Sequence, residues 1–118
     1  MNNRLRKLYR YLRMYLIKKR YNLKYVHKTF YLGGKSYISS DLIAGAFSYI
    51  GPNCKIYPMV TIGDYTMLAN NVSIIGGDHN FKNPNRPIIF SGRGVLEKTI
   101  IGKDVWIGAF TKINTGVK

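Results

Sequence analysis

The sequence predicts an all-β solenoid, a chain wound into a coil of short strands, and three observations carry that reading. Ile38, Ala44, Ile50, Ile56, Ile62, Leu68 and Ile74 recur at intervals of six, and the beat returns at Val95, Ile101, Ile107 and Ile113. A helix brings side chains back to one face every 3.6 residues and a strand every two, so neither produces a strict six. A coil that turns a corner after each short strand does, because every side then points one apolar residue inward. The second observation is that Gly45, Gly51, Gly63, Gly102 and Gly108 directly follow beats, where glycine eases a turn or a close backbone approach. The third is the set four residues after a beat: Leu42, Cys54, Val60, Thr66, Val72, Thr99, Val105, Thr111 and Val117. These are mostly small or β-branched residues suited to strand packing. Such a unit cannot bury its own face and must stack on the next. The chain reads as a hexapeptide β-helix.

Residues 1–30 form a basic leader ahead of the coil at 31–118. Positions 1–28 hold ten Lys or Arg and no acid, within a formal net charge of +14 for all 118 residues. A helix over Asn3–Tyr21 collects Leu5, Leu8, Tyr9, Leu12, Tyr15 and Leu16 on one stripe, with Arg6, Lys7, Arg10, Arg13 and Lys18 largely elsewhere. Two readings compete. The segment lies on an anionic membrane surface or acidic partner, or it docks on its own coil or a neighbouring subunit. The rest of the chain has nine Lys or Arg and five acids, spread without a stripe, and no nucleic-acid motif. Nucleic acid is not an expected partner.

No run of 18 apolar residues is present to span a bilayer. Arg10, Arg13 and Lys18 interrupt the segment after the basic start, which leaves no signal-peptide core. The single cysteine, Cys54, stands at a repeat position, reads as a small buried hydrophobe and fits a cytoplasmic protein. The expected location is cytoplasmic, with the inner membrane face as the site of any peripheral contact. The repeat is still running at Gly116-Val117-Lys118 without a capping helix. A solenoid needs its last coil covered, so the expectation is a C-terminally truncated fragment, or else an end covered by a partner.

The beat breaks once. Ile74 and Val95 are 21 residues apart, three whole beats plus three, so a loop over 76–94 is expected to leave the coil. Its glycines, asparagines and prolines bend the chain and block ladder pairing. A loop held at both ends by a rigid scaffold is a good place for chemistry. It opens with His79, beside Asp78 and after Gly76-Gly77, and histidine is the side chain suited to proton transfer near neutrality. The other histidine, His27, is expected only to be solvated. No metal-ligand spacing accompanies His79 and Asp78, so no metal is expected. Asp64 and Asp104 occupy turn positions and read as structural. No phosphate-binding glycine loop or nucleophile arrangement is present.

Ile74-Ile75-Gly76-Gly77-Asp78-His79-Asn80-Phe81, with Ile100-Ile101-Gly102-Lys103-Asp104-Val105-Trp106-Ile107-Gly108-Ala109 after the loop, resembles the hexapeptide-repeat acyltransferases. These fold as left-handed parallel β-helices, and the closer similarity is to the branch of sugar, polysaccharide and xenobiotic O-acetyltransferases. The resemblance covers about residues 36–118. It implies the left hand of the coil, a homotrimer with active sites between neighbouring coils, and acetyl-CoA as acyl donor. It implies His79 as general base, Trp106 at the reacting end of the donor groove, and Gly108 and Ala109 as backbone against the pantetheine arm. Asp78, Asn80, Phe81 and Arg86, on the loop that shapes the acceptor pocket, are implied substrate contacts.

The expected activity is acetyl-CoA-dependent O-acetylation of a sugar or polysaccharide-precursor hydroxyl. Antibiotic, serine or amino-sugar acceptors are alternatives within the same chemistry. A non-catalytic β-helix remnant or scaffolding module is the alternative outside it.

Overall fold

The computed structural model describes residues 2–118. Among them one helix, α1 (Asn3–Arg20), leads into twelve short strands: β1 (Tyr25–Val26), β2 (Tyr31–Leu32), β3 (Tyr37–Ile38), β4 (Ile43–Ala44), β5 (Tyr49–Ile50), β6 (Lys55–Ile56), β7 (Val60–Ile62), β8 (Met67–Leu68), β9 (Ser73–Ile75), β10 (Thr99–Ile101), β11 (Trp106–Ile107) and β12 (Lys112–Asn114). They assemble into three parallel sheets of four strands, ordered β1-β4-β7-β10, β2-β5-β8-β11 and β3-β6-β9-β12. Three beats complete one coil, which sets Ala44 beside Ile62 and Ile56 beside Ile74. The fold is a left-handed parallel β-helix with an N-terminal helix, the architecture that the resemblance implied. The ladder already begins at Tyr25–Val26, which pairs with β4.

Each two-residue strand points one side chain out and one in, as the strand period of two requires. The inward residues are the beats: Ile38, Ala44, Ile50, Ile56, Ile62, Leu68, Ile74, Ile101 and Ile107 are buried in one continuous core. Full burial of an Ile or Leu side chain is worth about 1.5–3 kcal/mol, so this column is the main source of cohesion. A second inward column, Leu42, Cys54, Val60, Thr66, Val72 and Thr99, fills the space between the beats. Thr66 is polar but satisfied. Its hydroxyl donates to the Gly102 carbonyl at 2.5 Å and accepts from the Val105 amide at 3.3 Å.

One expected beat fails. Val95 is 86 % exposed, and after Ile74 the core resumes at Ile101, which lies beside Ile62. The inserted segment is thus longer than the beat implies, and Val95 belongs to the loop. Its six-residue spacing from Ile101 is a coincidence of sequence.

The corners also differ from expectation. The glycines after the beats do not make the turns, since none of Gly45, Gly51, Gly63, Gly102 and Gly108 has a positive φ. The left-handed corner residues are Phe47, Asn53, Met59, Tyr65, Asn71, Asp104 and Phe110, each three residues after a beat. A bulky residue there is strained, but every one of these amides bonds to the coil beneath. Tyr65 N donates to the Ala46 carbonyl at 2.8 Å, and Asn71 N to the Pro52 carbonyl at 3.1 Å. Glycine is needed instead for close approach: a Cβ on Gly63 would stand 2.7 Å from the Gly102 carbonyl carbon and oxygen. Asp64 and Asp104 serve one corner, as Asp104 N donates to the Asp64 carbonyl at 2.8 Å and Asp64 Oδ1 accepts from Ala46 N at 2.7 Å.

The helix starts at Asn2, whose side chain accepts from Arg4 N at 3.0 Å, an N-cap. It ends in a left-handed Asn22, with Asn22 N on the Lys19 carbonyl and Leu23 N on the Lys18 carbonyl, the Schellman pattern. Lys18, Lys19 and Arg20 in the last turn suit the helix dipole. The expected apolar stripe is not what holds the helix to the coil. Met14 is its one buried residue, with Ile17 and Tyr21 packed on the core beside it. Leu5, Leu8, Tyr9, Leu12, Tyr15 and Leu16 are all exposed. Among the described residues no helix is long and apolar enough to cross a membrane.

Candidate functional site

Strand β9 of the third sheet ends at Ile75 and β10 of the first begins at Thr99, so the loop leaves the corner where those two sheets meet. A short antiparallel stem closes its base. His79 and Arg93 face each other in an isolated bridge, Asn80 N donates to the Gly92 carbonyl at 2.8 Å, and Gly94 N to the Asp78 carbonyl at 2.8 Å. Gly77 and Gly92 flank the stem with φ of 73° and 75°, a backbone region open to glycine and costly for other residues. Arg93 reaches across the stem to the Gly77 carbonyl at 3.2 Å. Beyond the stem, the Asn80 and Asn83 side chains accept from Lys82 N and Asn85 N, forming local turns. A 3-10 turn follows at Ile88–Phe90.

Asp78, His79, Asn80, Phe81 and Arg86 therefore share one extruded loop, and all five are exposed, with Asp78 at its base. Among the described residues the His79 ring has no hydrogen-bond partner, while the backbone on either side of it is fixed by the stem. Asn83 and Phe90 are exposed on the same loop. The apolar side chains of Phe81, Ile88, Ile89 and Phe90 are open to solvent. An uncovered group of this kind suits an acceptor or a neighbouring chain.

Trp106, Gly108 and Ala109 lie elsewhere. Trp106 pairs with Met67 on the outer face of the second sheet and is 74 % exposed. The second sheet is the side of the triangular coil opposite the corner that emits the loop. Within one chain the loop and Trp106 are therefore not brought together. Gly108 follows β11, and a Cβ there would meet nothing within 4 Å.

The second sheet also carries aromatic side chains that the six-residue beat did not flag. Tyr31 stacks on Tyr49 with centroids 6.0 Å apart, and Phe47 stacks on Tyr65 at 5.7 Å along the adjoining corner. Arg10 and Arg13 of α1 lie over the Tyr31 ring at 4.3 and 5.3 Å. The signal was present as pairs of aromatics three beats apart in the sequence. His27 is more than solvated. Its Nδ1 lies 2.8 Å from Thr29 Oγ1 and accepts from Thr29 N, while Thr29 Oγ1 takes the Phe47 amide of the next coil.

Among the described residues no group of three or more His, Cys, Asp or Glu gathers as a metal site. Cys54 is buried, and desolvation pushes its thiol pKa up against the opposing backbone bonds of Val72 and Asn71. Burial likewise lowers the pKa of Lys18, whose ammonium donates to the Lys28 carbonyl at 3.3 Å. Comparison with protein-family models, with curated proteins and with solved structures finds no match for this chain.

Proposed function

We propose that this chain is an acetyl-CoA-dependent O-acetyltransferase acting on a sugar or polysaccharide-precursor hydroxyl. The observation that carries the reading is the placement of His79 in the stem of the long loop extruded from an otherwise regular coil. In this reading His79 is the general base. It takes the proton of the acceptor hydroxyl as that oxygen attacks the thioester carbonyl, so that a C–O bond forms, the C–S bond breaks and the thiolate leaves. Such proton transfer contributes about 10²–10⁴-fold to rate, and holding both reactants in one groove adds a separate proximity effect. Trp106, Gly108 and Ala109 hold the donor, and Asp78, Asn80, Phe81 and Arg86 contact the acceptor.

The loop and Trp106 lie on opposite sides of the coil. A complete site therefore needs the loop of one copy beside the second sheet of another, which supports a homotrimer with three shared grooves. The test is release of coenzyme A thiol from acetyl-CoA across a panel of sugars, amino sugars, serine and antibiotic acceptors. Sugar-dependent release that is lost in His79→Ala supports the proposal, and release indifferent to His79 ends it. One observation favours a non-catalytic scaffolding module instead: the His79 ring has no orienting partner among the described residues. That reading gains if no acceptor elicits release and the chain does not bind acetyl-CoA.

A further inference from the structure

We propose that α1 is an interfacial anchor that lays the chain on an anionic lipid bilayer through Leu5, Leu8, Leu12, Tyr15 and Leu16. This goes beyond the acetyl-transfer reading and does not depend on it. The argument starts from which side of the helix the coil uses. Met14, Ile17 and Tyr21 face the first coil, Arg13 donates to the Leu32 carbonyl at 2.8 Å, and Arg10 lies over Tyr31. Leu12 is two residues from Met14, about 200° around the helix. The leucine stripe thus points away from the coil, and its leucines are exposed along its length, while the Lys19 ammonium lies 4.8 Å over the Tyr15 ring. One edge of it, Tyr9, Leu12 and Leu16, opens onto a cleft of about 470 Å³ floored by Leu32 and Gly34 and rimmed by Arg20 and Lys35.

Charge selects the occupant. Positions 1–28 carry ten Lys or Arg and no acid, so two such helices repel each other. Another copy offers no acidic surface. Of the five acids, Asp41 and Asp64 are engaged by corner amides, Asp104 shares a corner with Asp64, and Glu97 and Asp78 lie singly at the loop base. The complementary surface must be both anionic and apolar just below its charges. A bilayer with acidic headgroups is both, and a helix of this pattern settles at its interface without spanning it. Tyr9 and Tyr15 beside the leucines present an apolar ring and a polar tip, a form suited to the headgroup level.

The test is co-sedimentation of the full chain with vesicles of phosphatidylcholine alone and of phosphatidylcholine mixed with phosphatidylglycerol, at low and high salt. Binding to the anionic vesicles is expected, weakening as salt rises. The double variant Leu8→Gln/Leu12→Gln changes only exposed side chains, so its circular dichroism should match wild type. Its partitioning should fall on the order of tenfold or more. Lys19→Gln, exposed on the same face as Leu12, should weaken anionic binding several-fold with the fold intact. Equal pelleting with both vesicle types, no pelleting with either, or a double variant that pellets like wild type each overturns the proposal. So does a drop in oligomer size of the double variant without lipid, which would assign the stripe to a second copy. Acetyl-transfer assays on the same variants in soluble form keep a failed enzyme reading distinct from a failed anchor.

Discussion

The Met59 amide donates to Asp41 Oδ2 at 2.8 Å, joining two successive coils at a corner. Asp41 is itself held by the Ser39 hydroxyl at 2.6 Å, so its carboxylate takes the place of the backbone carbonyl that most other corners use. Met59 sits in the left-handed region at φ 67°, and its strain is tolerated because the amide is satisfied. Asp41→Ala should destabilise by about 1–2 kcal/mol. Met59→Val should cost a further ~1–2 kcal/mol by adding a β-branch at positive φ, while Met59→Gly stays close to neutral. Urea unfolding followed by circular dichroism measures all three.

Gly63 and Gly94 differ in what surrounds them. A Cβ at Gly63 runs into the backbone of Gly102 and Lys103, and one at Gly94 comes no nearer than 3.6 Å, to the Asp78 carbonyl oxygen. Gly63→Ala should lower stability by about 1–3 kcal/mol through overpacking, and Gly94→Ala by less than ~0.5 kcal/mol. Thermal melts of the two variants check the difference.

Cys54 reports on the core. Its thiol donates to the Ala69 carbonyl at 3.2 Å, and burial raises its pKa from the ordinary 9.0. In the window above 9.0 the unfolded chain gives up this proton while the folded one keeps it. The folded state then binds more protons, so stability from this site is complete below that value and declines as pH rises past it. Urea midpoints of wild type should fall more steeply than those of Cys54→Ala over this range. Alkylation by iodoacetamide at neutral pH should be slow in native buffer and fast in denaturant.

His79 and Trp106 should separate kinetically. His79→Ala is expected to lower kcat about 10²–10⁴-fold with acetyl-CoA affinity unchanged, since the imidazole acts on the proton in the transition state. Trp106→Ala should shift kcat and KM together by misplacing the thioester. Steady-state kinetics on a responsive sugar read both, and near-wild-type turnover in His79→Ala removes the base assignment. Mixing His79→Ala with Trp106→Ala chains should restore part of the activity if, as proposed, each groove draws on two copies.

The coil was legible because Ile50, Ile56, Ile62 and Leu68 each sit where only a six-residue turn of the chain can bury them. Val95 misled because spacing alone does not distinguish a buried valine from one carried on a loop. The corners were not legible: Phe47, Met59 and Tyr65 are poor candidates for positive φ by local preference, and only the amide bonds to the coil below select them. On α1 the leucines outweigh Met14 and Ile17 in any stripe drawn from sequence, yet the coil takes the smaller set. Of the candidate site, the loop and its histidine could be read from the broken beat. That Trp106 faces the opposite side could not, because it depends on how the three sheets close.

The loop interrupts a ladder whose partners otherwise stand three beats apart, and it stretches the interval from Ile62 to Ile101 to about twice that of Ala44 to Ile62. Closing the longer interval costs only ~0.7 kcal/mol more in chain entropy, and Thr66 bridges the seam from the Gly102 carbonyl to the Val105 amide. The coil above the insertion therefore registers on the coil below almost as if nothing lay between them. A corner that absorbs so large a detour so cheaply is free to vary, so the detour can be exchanged alone while the winding that carries it is inherited whole.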